Sequence, residues 1–558
     1  MRVDRELAVA VVIGLMLLAA SLLLGLNGDV EANVGGLRVA IGPDGSAAGL
    51  GAFTHRPLVY RAVILGLTWF LGLLQLTPSG LVPFEMGMRL LAVTLSLLAA
   101  MLLFLALRPR LGGVGGGAVA TAVGVSLALA PNWDFLQAEW LGSLFAVLAV
   151  ATALLPRSAF AAGAWGGLLL ALAAAAKLTT ASYAVIGLLV IVALDRRRAV
   201  PVIVGGAAWG IVLLGLVLFV PDEARWMRDT LTLSAGMPFD TLTDWGLLAS
   251  AFASELATSP ALIVAPAALV VLLRLARPRD RWWLLGAALL VLALAAAPLV
   301  AQIEGYLYRL TVLPIIGAAL VALAAFQLWL VGGRSPWWMI GALALAAGLG
   351  ALLLSLPTDL RADQIGLLEG LVAALAVVLA AAAWYLPRPG ASLGLPLRHP
   401  ALLVATAVVA LSLPAVLPSA AWSLDPARTT ALNLGWAADA RAARDRLGVL
   451  SAQIGPQSEV LYLAEAEVAY HLGNPVRCRY PSPIFLKVGA RSSAVRHTGS
   501  YRDNLACLTE SRADWLILEP SWLSIAELPD EARRAVEARF DCSRGLSDGD
   551  GIVACPAR

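Results

Sequence analysis

Charged residues are scarce in this chain of 558 residues. Asp, Glu, Lys and Arg make up 14% of it, whereas a soluble domain carries about 25%. So few charges cannot cover the surface of a soluble protein of this length, and a hydrophobic fraction of 60% excludes an intrinsically disordered chain. Apolar runs reach the roughly 20 residues that span a bilayer. The sequence therefore predicts an α-helical polytopic membrane protein.

Lysine is the rarest of the charged residues. The chain has 40 basic residues, and only two of them are lysines. The formal net charge is +3, which is too small to indicate a nucleic-acid partner. Any lysine inside an apolar segment is therefore a candidate for function, because arginine supplies nearly all of the ordinary positive charge.

Cysteine is confined to one part of the chain. All four cysteines follow residue 470, and none has the C-x-x-C spacing of a zinc site. An even number in one polar segment predicts two disulfides in an oxidising compartment. Four cysteines allow three pairings. We predict the pairs Cys478–Cys507 and Cys542–Cys555, because each cysteine is then joined to its nearest partner in sequence.

The familiar motifs of soluble enzymes are missing. No Walker A, G-x-G-x-x-G, H-E-x-x-H or G-x-S-x-G motif occurs in a suitable context. Nucleotide-driven chemistry and zinc proteolysis therefore have no support in the sequence. No cofactor is predicted to be required, and a divalent metal is left open.

The hydropathy pattern predicts thirteen membrane spans. They are 7–26, 87–107, 114–131, 140–155, 160–177, 182–195, 201–220, 258–275, 284–302, 310–331, 337–356, 365–386 and 401–418. The first is too long for the core of a cleaved signal peptide, so we predict that it is retained.

Arginine placement orients these spans, because short cytoplasmic loops carry excess Lys and Arg. The basic loops fall on one side only if the apolar stretch 58–76 does not cross, and we place it as a juxtamembrane or re-entrant helix on the outer face. The arginines on the shared side are Arg2, Arg5, Arg108, Arg110, Arg157, Arg196, Arg197, Arg198, those of 274–281, Arg334, Arg388 and Arg398. The protein is predicted to lie in the plasma (inner) membrane, with a cytoplasmic N-terminus and an extracytoplasmic C-terminus.

The chain is predicted to have two domains. Residues 1–418 form the transmembrane domain, with large outer loops at 27–86 and 221–257. Residues 419–558 carry more charge and shorter apolar runs. Predicted strands at 459–464 and 514–519 alternate there with helical patterns, which favours a small extracytoplasmic α/β domain with parallel pairing.

Two carboxylates follow the first span directly. Asp29 and Glu31 lie in the sequence Asn-Gly-Asp-Val-Glu-Ala, at the predicted boundary between bilayer and outer water. A carboxylate at this position could act as general base toward an acceptor hydroxyl. An acidic residue that merely ends a span would occupy the same position.

Basic and aromatic residues open the helix predicted at 58–76. His55 and Arg56 precede it, and Tyr60 lies in its first turn. Imidazole and guanidinium groups at a helix start can hold an anion. Snorkelling of Arg and Tyr to the membrane interface explains the same pattern without a ligand.

The next outer loop contains Asp134 and Glu139, flanked by tryptophans. Such carboxylates could hold a sugar through hydrogen bonds while the indole rings stack on it. The alternative is an aromatic belt with acidic residues at a helix N-terminus.

Two cations stand at the outer ends of later spans. Lys177 ends a long Ala/Leu run, and a compact ammonium suits a phosphate. Tyr306 and Arg309 enter the tenth span, where Arg309 could bind a phosphate in a bidentate manner. The alternatives are snorkelling for Lys177 and an ion pair with Glu304 for Arg309.

These motifs, in this order, resemble the GT-C superfamily of polyprenyl-phosphate-sugar glycosyltransferases. The resemblance covers about residues 1–330 and rests on the acidic first loop, an H-x-P-L start at residue 55, the Glu-x-x-x-Arg-Leu start at residue 85, the G-L-L-L-x-L-A-x-x-x-K span and the Y-x-R-L-x-x-L-P span. The sequence is similar to aminoarabinose transferases, protein mannosyltransferases and arabinofuranosyltransferases. The acidic motif is D-V-E rather than the family's adjacent D-E, so Asp29 and Glu31 both remain candidates for the base.

The resemblance implies a reaction and its participants. A sugar would pass from a polyprenyl-phosphate donor to a cell-envelope glycan or glycolipid on the outer face. Asp29 or Glu31 would act as the base, Glu139 resembles the family's acid of the second loop, and Lys177 and Arg309 would face the carrier phosphate. The alternative function is a transporter or flippase of lipid-linked envelope intermediates, although no two-fold repeat is apparent.

The arginine pattern generates a topology prediction. A reporter fused after Arg110 should be cytoplasmic, and one fused after Ala420 should be extracytoplasmic, because the basic loops define the inner side. Paired alkaline phosphatase and green fluorescent protein fusions measure this. An external reporter at Arg110 would mean that the helix at 58–76 crosses the membrane.

Overall fold

The structure is a computed structural model. It describes residues 2–42, 44–53, 56–76, 81–236, 245–302, 307–332, 337–385 and 400–558. Of the predicted site residues, His55 and Tyr306 lie outside these ranges.

Helices dominate the first four hundred residues. In chain order they begin with α1 (Arg2–Leu22), α2 (Gly28–Val39), α3 (Leu58–Leu73), α4 (Leu81–Ala128), α5 (Ala138–Leu154), α6 (Ala159–Ala176), α7 (Ala181–Phe219) and α8 (Pro221–Gly236). They continue with α9 (Trp245–Thr258), α10 (Pro260–Leu275), α11 (Pro278–Gln302), α12 (Val312–Gly332), α13 (Trp337–Leu354), α14 (Thr358–Asp363), α15 (Ile365–Tyr385) and α16 (Pro400–Val416).

The last part of the chain mixes helices with short strands. Its helices are α17 (Asn433–Ile454), α18 (Ala466–Leu472), α19 (Ile484–Arg491), α20 (Ser493–Arg496), α21 (Gly499–Glu510) and α22 (Asp530–Arg539). Its strands are β1 (Val460–Leu463), β2 (Trp515–Leu518), β3 (Leu546–Ser547) and β4 (Val553–Pro556).

The prediction of a polytopic helical membrane protein is confirmed. Seven helices of the described residues are long and apolar enough to cross a membrane, and an eighth span results if the bent pair α9–α10 is one span. Two of the seven, α4 and α7, contain a non-helical residue, Gly112 and Asp195 respectively. Each of the thirteen predicted spans falls on a helix. The number of crossings and their direction stay predictions.

The chain divides into two compact units that are discontinuous in sequence. Unit 1 comprises Met1–Gly25, Arg89–Ile211 and Asp240–Trp436. Unit 2 comprises Leu26–Met88, Val212–Phe239 and Ala437–Arg558. Unit 2 therefore combines the large predicted outer loop 27–86 and the start of the large predicted outer loop 221–257 with the C-terminal segment. The predicted division at residue 418, which concerns the side of the membrane, stays a prediction.

Small residues bring the helices of unit 1 close together. A Cβ atom added at Gly167 would overlap the backbone of Gly205 and Gly206, and one added at Gly205 would overlap Gly163. Backbone contact between α6 and the second half of α7 thus depends on glycine, as is usual where lipid leaves helices no hydrophobic drive to associate. Alanines fill much of the buried core of α9, α10, α13 and α15.

Unit 2 contains the predicted parallel pair of strands. β1 and β2 are parallel, with Val460 opposite Trp515. The complete sheet has the order β1-β2-β4-β3, and its other two pairings are antiparallel. The strands β3 and β4 escape prediction because β3 has only two residues and β4 ends at a proline. Both predicted disulfides, Cys478–Cys507 and Cys542–Cys555, are formed.

The helix that carries Asp29 and Glu31 packs on α18. Asn27 caps this helix, α2, by accepting a hydrogen bond from the amide of Val30 at 3.1 Å. A Cβ atom at Gly35 would lie 2.7 Å from the backbone nitrogen of Tyr470. The two helices therefore touch through their backbones, and glycine is needed at this position for lack of space.

We predict that Gly35→Ala destabilises the protein. The added methyl group must push α18 away, at about 1–3 kcal/mol, which outweighs a gain of up to about 1 kcal/mol in helix propensity. Gly66→Ala is the matched control, because a Cβ there meets nothing within 4 Å. Thermal unfolding in detergent should show a lower midpoint for Gly35→Ala only, and equal midpoints would contradict the close approach.

Candidate functional site

The predicted site residues form two clusters, one in each unit. Asp29, Glu31, Arg56 and Tyr60 belong to unit 2, and Asp134, Glu139, Lys177 and Arg309 belong to unit 1.

Asp29 is an accessible carboxylate held by a buried arginine. Its Oδ2 atom lies 2.8 Å from Nη2 of Arg56, and its side chain is 30% exposed, against 10% for Arg56. The backbone oxygen of Asp29 also accepts a hydrogen bond from Nδ2 of Asn33 at 2.7 Å. An ion pair favours the ionised carboxylate, which is the form that accepts a proton.

Glu31 is in the opposite situation, although it is only two residues away. Its side chain is 1% exposed. Burial raises the pKa of Glu31 well above its usual range, and the nearby carboxylate of Glu85 adds to this effect. Burial therefore favours the neutral acid form of Glu31, and a protonated carboxyl group cannot act as general base.

Arg56 owes its position to a second arginine. Arg61 is fully buried and donates hydrogen bonds to the backbone oxygens of Arg56 at 3.1 Å and Ala52 at 2.9 Å, and also to that of Leu50. It forms an ion pair with Glu223. This arrangement fixes the backbone at Leu50, Ala52 and Arg56.

Aromatic rings enclose the guanidinium of Arg61. Its Cζ atom lies 4.6 Å from the ring centroid of Phe53 and 5.6 Å from that of Trp226. Cation–π contact is strongest where water is excluded. Tyr60, predicted as a substrate contact, is fully buried in α3.

In unit 1, Lys177 lies between a carboxylate and an aromatic ring. Its Nζ atom lies 2.6 Å from Oε1 of Glu139 and 5.4 Å from the ring centroid of Tyr308. The backbone amide of Lys177 also donates to the hydroxyl of Thr180 at 3.1 Å. The predicted Lys177 cation and the predicted Glu139 acid are thus brought together.

Arg309 approaches the same aromatic ring. Its Cζ atom lies 5.3 Å from the Tyr308 centroid, and its backbone oxygen accepts a hydrogen bond from the hydroxyl of Tyr183 at 2.8 Å. Arg309 is buried. Two cations on one ring form a small region that favours an anion. The alternative partner, Glu304, lies outside the described residues.

Asp134 lies beside these groups. It is buried, and its side chain forms a hydrogen bond with Thr311. Burial raises the pKa of Asp134 to about 7. Asp134 is thereby poised between its neutral and ionised forms at neutral pH.

A row of aromatic rings continues from Tyr308. Trp133 lies 6.2 Å from it, Trp422 lies 5.1 Å from Trp133, and Trp436 lies 4.9 Å from Trp422. The row contains one of the two tryptophans that flank Asp134 and Glu139, together with two tryptophans from the segment after the last span. The other flanking tryptophan, Trp140, is buried against Phe135. Stacking of these rings on a sugar stays a prediction.

Several residues of these clusters were missed from the sequence. Glu255 is buried and lies within electrostatic range of Asp134, and a carboxylate in the apolar helix α9 was the available signal. His471 contacts Glu31 from 440 positions further along the chain, so no local signal indicates it. Among the described residues, no group of three or more His, Cys, Asp or Glu side chains could hold a metal ion.

Two solved structures share the fold of this chain. ArnT from Cupriavidus metallidurans in the apo state aligns with a TM-score of 0.52 and 15% identity, over 100% of this chain and 98% of that one. The same protein bound to undecaprenyl phosphate aligns with a TM-score of 0.50 and 16% identity, over 99% and 97%. The sequence matches no protein-family model and no curated protein. The predicted resemblance to the GT-C superfamily is confirmed at the level of the fold.

We predict that Arg61→Met strongly destabilises unit 2. The substitution leaves Glu223 buried without its ion-pair partner, which costs about 3–5 kcal/mol. The double variant Arg61→Met/Glu223→Gln should recover part of this loss, because no charge is then stranded. Arg502→Met, at an exposed position, should change stability by less than about 0.5 kcal/mol. Chemical denaturation with fluorescence detection measures all three, and an equal effect at both arginines would contradict the organising role of Arg61.

Proposed function

We propose that this protein is a membrane glycosyltransferase. It moves a sugar from a polyprenyl-phosphate donor to a cell-envelope glycan or glycolipid acceptor on the outer face of the plasma membrane. The observation that carries the proposal is the pair of cations, Lys177 and Arg309, on the ring of Tyr308. It is supported by the shared fold with ArnT, a protein solved with undecaprenyl phosphate bound.

The two cations suit the leaving group of such a reaction. Transfer breaks the bond between the anomeric carbon and a phosphate oxygen, so negative charge grows on the carrier phosphate. Lys177 supplies a compact ammonium and Arg309 a guanidinium that can bind two oxygens. Donors aimed at developing charge in a water-poor site lower the barrier strongly. No nucleotide is needed, because the lipid phosphate itself leaves.

Glu139 has a supporting role in this scheme. Its carboxylate is buried and lies next to the ammonium of Lys177. It keeps the lysine charged and directs it, since a buried lysine without a partner tends to lose its proton. Asp134 and the tryptophan row beside it are the proposed contacts for the donor sugar, through hydrogen bonds and stacking.

Asp29 is the proposed base. It is accessible and paired with Arg56, whereas Glu31 is buried and its pKa is raised by burial. Asp29 accepts the proton of the acceptor hydroxyl while the hydroxyl oxygen bonds to the anomeric carbon and the phosphate departs with the bonding electrons. A single displacement of this kind inverts the configuration at the anomeric carbon.

We predict that substitutions of Lys177 and Asp29 affect different quantities, donor binding and turnover respectively. Lys177→Ala should weaken binding of undecaprenyl phosphate roughly 10–100-fold, because a charge-assisted hydrogen bond is worth about 1.5–3 kcal/mol. Asp29→Asn should leave this binding unchanged and lower turnover about 10²–10⁴-fold. Lys487→Ala, the only other lysine, is the matched control for binding. Native mass spectrometry with undecaprenyl phosphate measures the affinities.

Turnover is measured as release of undecaprenyl phosphate from undecaprenyl-phosphate sugars by the full-length protein in liposomes with an envelope glycan extract. Release that depends on the acceptor supports a transferase. Movement of the labelled donor between leaflets without release would instead favour a transporter or flippase. Equal affinities for Lys177→Ala and Lys487→Ala would show that the phosphate binds elsewhere.

A further inference from the structure

The side of α2 opposite Asp29 is clamped by α18. Successive residues of a helix are 100° apart, so Asp29 and Glu31 point in nearly opposite directions. Asp29 is accessible, whereas Glu31 is buried against α18. A contact that holds Glu31 in place therefore also sets the direction of Asp29.

The contact is made by a histidine of the C-terminal segment. Nε2 of His471 lies 3.4 Å from Oε2 of Glu31. Among the described residues, neither oxygen of Glu31 forms a hydrogen bond, so the approach of His471 is a close polar contact between two buried side chains. His471 is buried as well, and water therefore has little opportunity to replace the contact.

Burial favours the uncharged form of both groups. Burial raises the pKa of Glu31. Burial, with help from the nearby Arg444, lowers the pKa of His471 to about 4. The contact between the two side chains therefore does not depend on opposite charges. The charged groups that face the pair are Glu85, Arg38, Arg444, Arg446 and Glu467.

Further polar contacts stop α18 from shifting. Nη1 of Arg38, at the end of α2, donates to the backbone oxygen of Tyr470 at 2.9 Å. The hydroxyl of Tyr470 donates to Glu85 at 3.0 Å, and Glu85 forms an ion pair with Arg444. One turn of α18 is therefore bonded to α2 and to the start of α4, and Glu85 links the start of α4 to α17. This rigidity is what a positioning element requires.

We propose that Glu31 and His471 are positioning residues for Asp29. The inference rests on the proposed function. It assigns the acidic D-V-E motif two roles, with Asp29 as base and Glu31 as the anchor that fixes the rotation of α2. It also makes α18 part of the catalytic machinery, so that the C-terminal segment contributes to turnover as well as to any binding of acceptor.

The test compares conservative and truncating variants at both positions. His471→Ala and Glu31→Ala should each lower kcat about 10–100-fold, since displacement of a reacting group by 1 Å can cost about 10²-fold. Affinity for undecaprenyl phosphate should not change. Glu31→Gln should retain nearly full turnover, because an amide of the same size can keep the buried contact with His471. The double variant Glu31→Ala/His471→Ala should be no worse than either single variant, because both remove the same contact.

The matched control is His497→Ala, which changes an exposed histidine of the same segment and should have no effect. Three results would overturn the inference. They are a loss in Glu31→Gln as large as that in Asp29→Asn, full turnover in His471→Ala, and a double variant with additive losses. The first would identify Glu31 as the base.

Hydrogen exchange separates this inference from the proposed function. Backbone amides of 28–39 should exchange faster in His471→Ala than in the unchanged protein or in His497→Ala, at equal amounts of folded protein. If the amides of 28–39 exchange faster in His471→Ala but the unchanged protein releases no carrier phosphate from any donor, the Glu31–His471 contact does hold α2 and the transferase proposal fails. If the exchange of these amides is the same in His471→Ala and in the unchanged protein, the Glu31–His471 contact does not hold α2.

Discussion

A guanidinium buried away from water has to find acceptors, and Arg61 satisfies this requirement by organising the segment before α3. Its donors engage three backbone oxygens and Glu223, and two aromatic rings cover its faces. Removing one partner of such a group leaves a charge without compensation, which is far more costly than losing a surface ion pair. The position of Arg56, and through it the environment of Asp29, depends on this one interaction.

The same constraint explains the composition of the site in unit 1. Burial of a charged side chain in a membrane protein is costly, so charged residues are rarely buried unless they have a function. Lys177, Arg309, Asp134 and Glu139 are nevertheless buried or nearly so. Each finds an opposite charge, a hydroxyl or a ring as partner. Groups held in this way are preorganised, and they need little rearrangement when charge develops on a substrate.

The fold could largely be predicted from the sequence. The thirteen apolar runs all became helices because membrane spans leave a signal of length and hydropathy that is independent of their neighbours. Helices and the parallel strand pair of the C-terminal segment were also found, since their patterns are local. The strands β3 and β4 were missed because β3 has only two residues and β4, although it lies inside the sheet, ends at a proline. The discontinuous composition of unit 2 was missed because contacts between distant segments leave no local trace.

For the site, the sequence by itself determined which residues deserved attention. These residues are unusual for their positions in the sequence. They are a lysine in a chain almost without lysine, two carboxylates after the first span, and an arginine at the entry of a span. Which carboxylate of the D-V-E motif is accessible was decided only by the tertiary structure. Asp29 and Glu31 have the same chemistry and nearly the same position in sequence, but α18 buries one of them and leaves the other accessible. Burial sets the charge state of a carboxyl group, and burial depends on which distant segment packs against it.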